Sequence, residues 1–179
     1  MDMNLANKLT MLRVVMIPVF LLVLFLGPEP MNRYIAVIIF IVASLTDMLD
    51  GKIARKYNLV SNFGKFMDPL ADKLLVMSAL VSMVALKDLA AWVVIVILAR
   101  EFTITGFRTL AMEANIVMAA SWWGKVKTTV QMIMIPVVLL NLPFGCMPMV
   151  ETVLIYLSVF FTIFSGADYI IKNKQVLLG

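Results

Sequence analysis

Apolar residues crowd six stretches, 14–27, 34–46, 74–86, 89–99, 126–142 and 149–164, and the polar connections between them are too short to hold a soluble domain. A bilayer core of about 30 Å takes about 20 helical residues to cross, and several of these stretches fall short of that. The second, third and fourth must therefore continue as helix into their polar neighbours: through about Lys56, from about Phe66, and on to about Met112. The pattern predicts an all-α integral membrane protein of six transmembrane helices. Ahead of the first stretch, Leu5, Leu9 and Leu12 alternate at helical spacing with Asn4, Asn7, Lys8 and Thr10, which predicts a short amphipathic helix at the interface over residues 1–12. The alternative is that this segment is the beginning of helix one. Residues 13–179 form the helical bundle, and the whole chain, 1–179, reads as one membrane domain with no internal repeat.

The breaks between stretches are marked chemically. Gly27-Pro28-Glu29-Pro30, Lys87-Asp88 and Pro143-Phe144-Gly145 separate helices one and two, three and four, and five and six. These three connections share one side of the membrane. Of fifteen Lys and Arg, only Arg33 and Lys87 lie on that side. The bias of basic residues toward the cytoplasm then places both termini, and the face carrying the remaining cations, in the cytoplasm.

A hydrophobic share of 63% stands well above the roughly 45–50% of soluble domains. There is no histidine, so a histidine base or metal ligand is excluded, and the single cysteine, Cys146, excludes an intrachain disulfide. No cleavable leader is expected at the N-terminus, where Asp2 and Asn4 stand in place of a basic segment. The net charge of +4 suits loops facing anionic headgroups, and no nucleic-acid partner is expected.

Ionised side chains within apolar helices are costly and are usually paired or functional. Asp47, Asp50, Gly51 and Ala54 stand at i, i+3, i+4 and i+7, one stripe of a helix. Gly64, Asp68 and Asp72 stand at i, i+4 and i+8, again one stripe, and only a short turn joins the two. Four carboxylates brought together would repel or take up protons unless cations neutralised them. Two hard divalent cations with oxygen ligands, Mg²⁺ or Mn²⁺, fit such a cluster and point to chemistry on phosphate. Gly51, Ala54 and Gly64 either let helices pack closely or leave room for a nucleotide, and Arg55 suits a phosphate or an aspartate. Pro69 disfavours a helix interior, so a first-turn position or a kink is expected there. On the cytoplasmic side, Arg100, Arg108, Lys125 and Lys127 are candidates to hold an anionic acceptor, against a reading as membrane anchors.

The segments from Asp47 to Arg55 and from Gly64 to Asp72 carry all eight defining positions of the CDP-alcohol phosphotransferase signature, at its spacing, and the chain resembles that family nearly end to end. The flanks, residues 7–13, Lys73, Arg100-Glu101, 119–121 and 124–128, resemble the bacterial branch that uses glycerol 3-phosphate as acceptor. The resemblance implies a six-helix homodimer of the bacterial cytoplasmic membrane. In it Asp47, Asp50, Asp68 and Asp72 hold the metal pair and Asp72 is the catalytic base. Gly51, Ala54, Arg55 and Gly64 would line the CDP site, with Asn7 and Thr10. The donor would be CDP-diacylglycerol and the acceptor sn-glycerol 3-phosphate, in a setting of membrane lipids. Rival expectations are the same fold with inositol phosphate or serine as acceptor, and a divalent-cation transporter with carboxylates along its path.

Overall fold

The computed structural model describes residues 5–56, 62–113 and 121–174, with side chains over 9–46, 67, 70–113 and 121–174. Among the described residues there are six α-helices and no strand: α1 (Leu5–Leu26), α2 (Met31–Lys56), α3 (Asn62–Ala85), α4 (Ala91–Glu113), α5 (Trp122–Leu140) and α6 (Met147–Lys172). The helical extensions that the membrane thickness demands are present. α2 runs to Lys56 and α4 to Glu113, well beyond their apolar stretches. Residues 5–12 are helical as expected and pass without a break into the first span, so α1 is one continuous helix.

Among the described residues three helices, α1 over Leu9–Leu26, α5 and α6, are long and apolar enough to cross a membrane on those grounds alone. α2, α3 and α4 reach 26, 24 and 23 residues, and charged residues dilute the apolar character of each. Large apolar side chains such as Leu22, Ile38, Val81, Ile95, Ile133 and Phe160 point outward, as a hydrocarbon surround permits and water does not favour.

One expectation needs correction. Of the two placements expected for Pro69, a first-turn position or a kink, the first does not form: α3 begins at Asn62 rather than near Phe66, so Pro69 sits in the helix interior. In a membrane segment an unwound backbone has no water to turn to, so helix persists across a proline at the loss of one hydrogen bond. Pro18 in α1 and Pro136 in α5 are accommodated in the same way.

Contacts group the chain into two compact units, Met1–Ala85 and Leu86–Gly179. In the first, α1 packs against both α2 and α3, and α2 meets α3. Phe20 and Phe40 meet at 6.5 Å between ring centroids, and Leu24, Leu75, Leu80 and Met83 are buried in the same unit. Ala36, Ala43, Ala71 and Ala79 are fully buried, small side chains that let the helices approach closely. In the second unit α6 is central, packing against α4 and α5.

The connections close as their residues dictate. At the α1–α2 hairpin the Asn32 side-chain amide donates to the Leu24 carbonyl at 2.8 Å, capping one of the carbonyls left free at the end of α1. The Asn32 backbone N–H donates to the Pro28 carbonyl at 3.0 Å. Gly27 lies so close to this cap that a Cβ would stand 2.5 Å from the Val23 carbonyl oxygen and 2.9 Å from Asn32 Cβ. α5 ends on Asn141 in the left-handed region (φ 44, ψ 56), with its N–H donating to the Val138 carbonyl.

Because backbone rather than a flexible tip stands in the way, Gly27→Ala is expected to destabilise the protein by about 1–3 kcal/mol. The check is a lower melting temperature in detergent with helical content retained; an unchanged melting temperature would mean that the hairpin relaxes freely.

Candidate functional site

Continuous helix through Lys56 and from Asn62 puts Asp47, Asp50, Gly51, Ala54 and Arg55 on α2, and Gly64, Asp68 and Asp72 on α3. The two stripes read from spacing are therefore stripes of two real helices, and those helices touch. The side chains of Asp47, Asp50, Arg55 and Asp68, the surroundings of Gly51, Ala54 and Gly64, and the side chain of Asn7 lie outside the described residues. Asp72 is partly buried beside the fully buried Ala71.

α1 adds two polar residues to the same three-helix unit. Thr10 is 1% exposed and Arg13, one turn further, is 0% exposed. Thr10 was expected at the nucleotide site; Arg13 was not singled out. A guanidinium is hard to bury unless carboxylates or other acceptors surround it, so its burial marks the strongly polar end of this unit. A signal was available: Thr10, Arg13 and Ile17 stand at i, i+3 and i+7, so the arginine shares its face with a core residue.

In the second unit the structure divides the four candidate cations into two kinds. Arg100 and Lys127 are held. Arg100 Nη1 donates to Glu101 Oε1 at 3.0 Å, and the Lys127 ammonium donates to the same oxygen. Arg100 Nη2 donates to Ser165 Oγ at 3.1 Å, so α4 is tied to both α5 and α6 around one carboxylate. Lys127 is only 4% exposed. The Arg100 arm runs past Gly166, where a Cβ would lie 3.2 Å from its Cγ, and ends near Gly124, where a Cβ would lie 3.6 Å from its Nη2. Lys125 and Arg108, by contrast, are exposed. Arg108 Nε donates to Tyr169 Oη at 3.0 Å, and its guanidinium carbon lies 5.4 Å from the centre of that ring.

The start of α5 is pinned beside the end of α6. Ser121 Oγ donates to Asp168 Oδ2 at 2.9 Å, and the other oxygen of Asp168 accepts from Lys172 at 2.7 Å. Trp123 stacks on Phe161 at 6.2 Å and meets Phe164 edge-on at 4.8 Å. Ser165, Asp168 and Tyr169 make contacts that leave no mark in the sequence pattern. They stand on α6, far along the chain from the residues they serve, and spacing within one helix carries no trace of a partner on another.

Known proteins resemble the chain along nearly its whole length. The family model for CDP-alcohol phosphatidyltransferase matches residues 3–164. A Bacillus subtilis protein named CDP-diacylglycerol–glycerol-3-phosphate 3-phosphatidyltransferase is 44% identical, over 97% of this chain and 97% of its own. A Mycobacterium tuberculosis protein named probable phosphatidylglycerophosphate synthase is 43% identical, over 98% of this chain and 84% of its own. A Rickettsia bellii protein with the same name as the Bacillus one is 36% identical, over 97% of each chain.

Removing the shared carboxylate would take a charged partner from two cations, one of them almost fully buried. Glu101→Gln is expected to cost about 3–5 kcal/mol of stability, the range for breaking one side of a buried ion pair. The Glu101→Gln/Lys127→Met double variant should recover part of that loss. Thermal unfolding of the single and double variants checks this, and additive losses would contradict it.

Proposed function

The chain belongs to the CDP-alcohol phosphatidyltransferase family, an enzyme family, and on that premise we infer that it transfers the phosphatidyl group of CDP-diacylglycerol to sn-glycerol 3-phosphate, giving phosphatidylglycerophosphate and CMP. The observation that carries this reading is the full-length similarity to proteins named for that reaction, in a chain whose eight signature residues all fall on two touching helices.

The donor set fits a pair of divalent cations. Asp47, Asp50, Asp68 and Asp72 offer only hard oxygen ligands, from helical positions that share a face on α2 and on α3, and the chain has no histidine to compete. Bound Mg²⁺ or Mn²⁺ would neutralise these carboxylates and stabilise charge developing on the phosphoryl oxygens. The rest falls to the protein. Gly51, Ala54 and Gly64 present a helix surface without bulk, against which the cytidine diphosphate can lie, while Arg55 pairs with its phosphates and Asn7 and Thr10 contribute from α1. Asp72 takes the proton of the acceptor hydroxyl as its oxygen bonds to the lipid-side phosphorus and the bond to the departing CMP breaks.

Of the four cations considered for the acceptor phosphate, Arg108 and Lys125 are assigned direct contact because they are exposed. Arg100 and Lys127 are assigned to holding α4, α5 and α6 in place through Glu101. The charge distribution supports an active face and both termini in the cytoplasm of a bacterial cell, and the family resemblance supports a homodimer.

The decisive measurement is acceptor-dependent release of CMP from CDP-diacylglycerol by the purified protein. Chelation is expected to abolish it and added Mg²⁺ or Mn²⁺ to restore it. Asp68→Asn and Asp72→Asn are each expected to lower kcat by about 10²-fold or more, the usual scale for removing a group that handles the proton or the charge of the transition state. Undiminished CMP release in these variants would remove the aspartates from the mechanism. Preference for inositol phosphate or serine over glycerol 3-phosphate in competition would keep the chemistry and change the acceptor.

A further inference from the structure

Tyr169 stands on α6 one turn past Ser165, the residue that bonds Arg100, and it is unusual in what it joins. It is 2% exposed, packed with Ile104, Phe107 and Ile170, and meets the Phe107 ring edge-on at 6.3 Å. A buried tyrosine needs a partner for its hydroxyl. Here that hydroxyl accepts from Nε of the exposed Arg108, and the same guanidinium stands 5.4 Å from the ring centre. One rigid side chain thus holds Arg108 at the root of its guanidinium by a hydrogen bond and at its charge by the electron-rich ring.

The consequence follows from the shape of arginine. With Nε occupied, the Nη1 and Nη2 groups form the free end of the planar fork, the end that matches two oxygens of a phosphate. Among the described residues neither Nη group of Arg108 makes a hydrogen bond. A long side chain that would otherwise lose rotamer freedom on binding an anion is already ordered, which lowers the cost of capture.

We propose that Tyr169 is a positioning residue for acceptor selection: it presents the Nη1–Nη2 edge of Arg108 to the phosphate of the acceptor, and so favours a phosphorylated acceptor over a neutral one. This rests on the reading of Arg108 as an acceptor contact.

The test compares wild type, Tyr169→Phe, Arg108→Lys and the double variant, each purified in lipid–detergent micelles. KM for glycerol 3-phosphate, KM for CDP-diacylglycerol, kcat and melting temperature are measured for each. Tyr169→Phe keeps the ring and the packing and removes only the hydroxyl. It is expected to raise KM for glycerol 3-phosphate roughly three- to tenfold, the scale of a hydrogen bond to a charged group felt indirectly. The KM for CDP-diacylglycerol, kcat and melting temperature should stay near wild type. Arg108→Lys is expected to raise the same KM about tenfold or more, because an ammonium cannot reproduce the fork. In the Arg108→Lys background the Tyr169→Phe change should add nothing.

An unchanged acceptor KM in Tyr169→Phe, with Arg108→Lys impaired, overturns the role of Tyr169 and leaves the acceptor reading standing. An unchanged acceptor KM in Arg108→Lys overturns the acceptor reading at Arg108 and the role of Tyr169 with it. A Tyr169→Phe effect that persists in the Arg108→Lys background, or a fall in kcat and melting temperature without a specific rise in acceptor KM, shows that the tyrosine acts on the scaffold and not through Arg108.

Discussion

Charge carried on an apolar helix has to be answered by charge or by hydrogen bonds from the protein itself, and the arrangement around Glu101 is the clearest case in this molecule. One carboxylate oxygen receives both the Arg100 guanidinium and the Lys127 ammonium, while the second arm of the guanidinium reaches Ser165. Three helices are joined at that point. In water such a cluster would contribute little, since each ion is well solvated before it pairs. With Lys127 nearly enclosed, losing the carboxylate takes a charged partner from a buried cation, so separating the helices is costly even if forming the cluster yields modest net stability.

The tie also sorts residues that look equivalent by charge. Arg100 and Arg108 stand on the same helix, and Lys125 and Lys127 two positions apart on another, yet only Arg108 and Lys125 face outward. α6 makes the difference. It offers Ser165 and the side-chain-free surface of Gly166 to Arg100, and Tyr169 to Arg108. The first pair of contacts buries a cation into the scaffold, and the second steadies a cation while leaving its working end open.

The unit built from α1, α2 and α3 follows a different logic. Its packing draws on buried alanines and on the aromatic pair of Phe20 and Phe40, which allow close approach of helices. Polar residues gather elsewhere on it: the aspartates of α2 and α3 at the helical extensions beyond the apolar stretches, and Thr10 and Arg13 at the head of α1.

Much of this was present in the order of residues. Bilayer thickness set against short apolar runs required α2 and α4 to extend into polar sequence, and the spacing of Asp47, Asp50, Asp68 and Asp72 on such helices required two acidic stripes. Both are local consequences of helix geometry, which needs no partner to be evaluated. Pro69 lies past the first turn because the need of a membrane backbone to stay hydrogen-bonded carries the helix on toward Asn62. What tertiary structure alone decided was the fate of individual cations: Arg13 buried, Arg100 and Lys127 locked, Arg108 steadied by Tyr169. For Lys127, Arg108 and Arg100 the outcome depends on a side chain from another helix, 26 to 65 positions away, and the energy of a buried charge is set by what surrounds it in space, not by its neighbours in the chain.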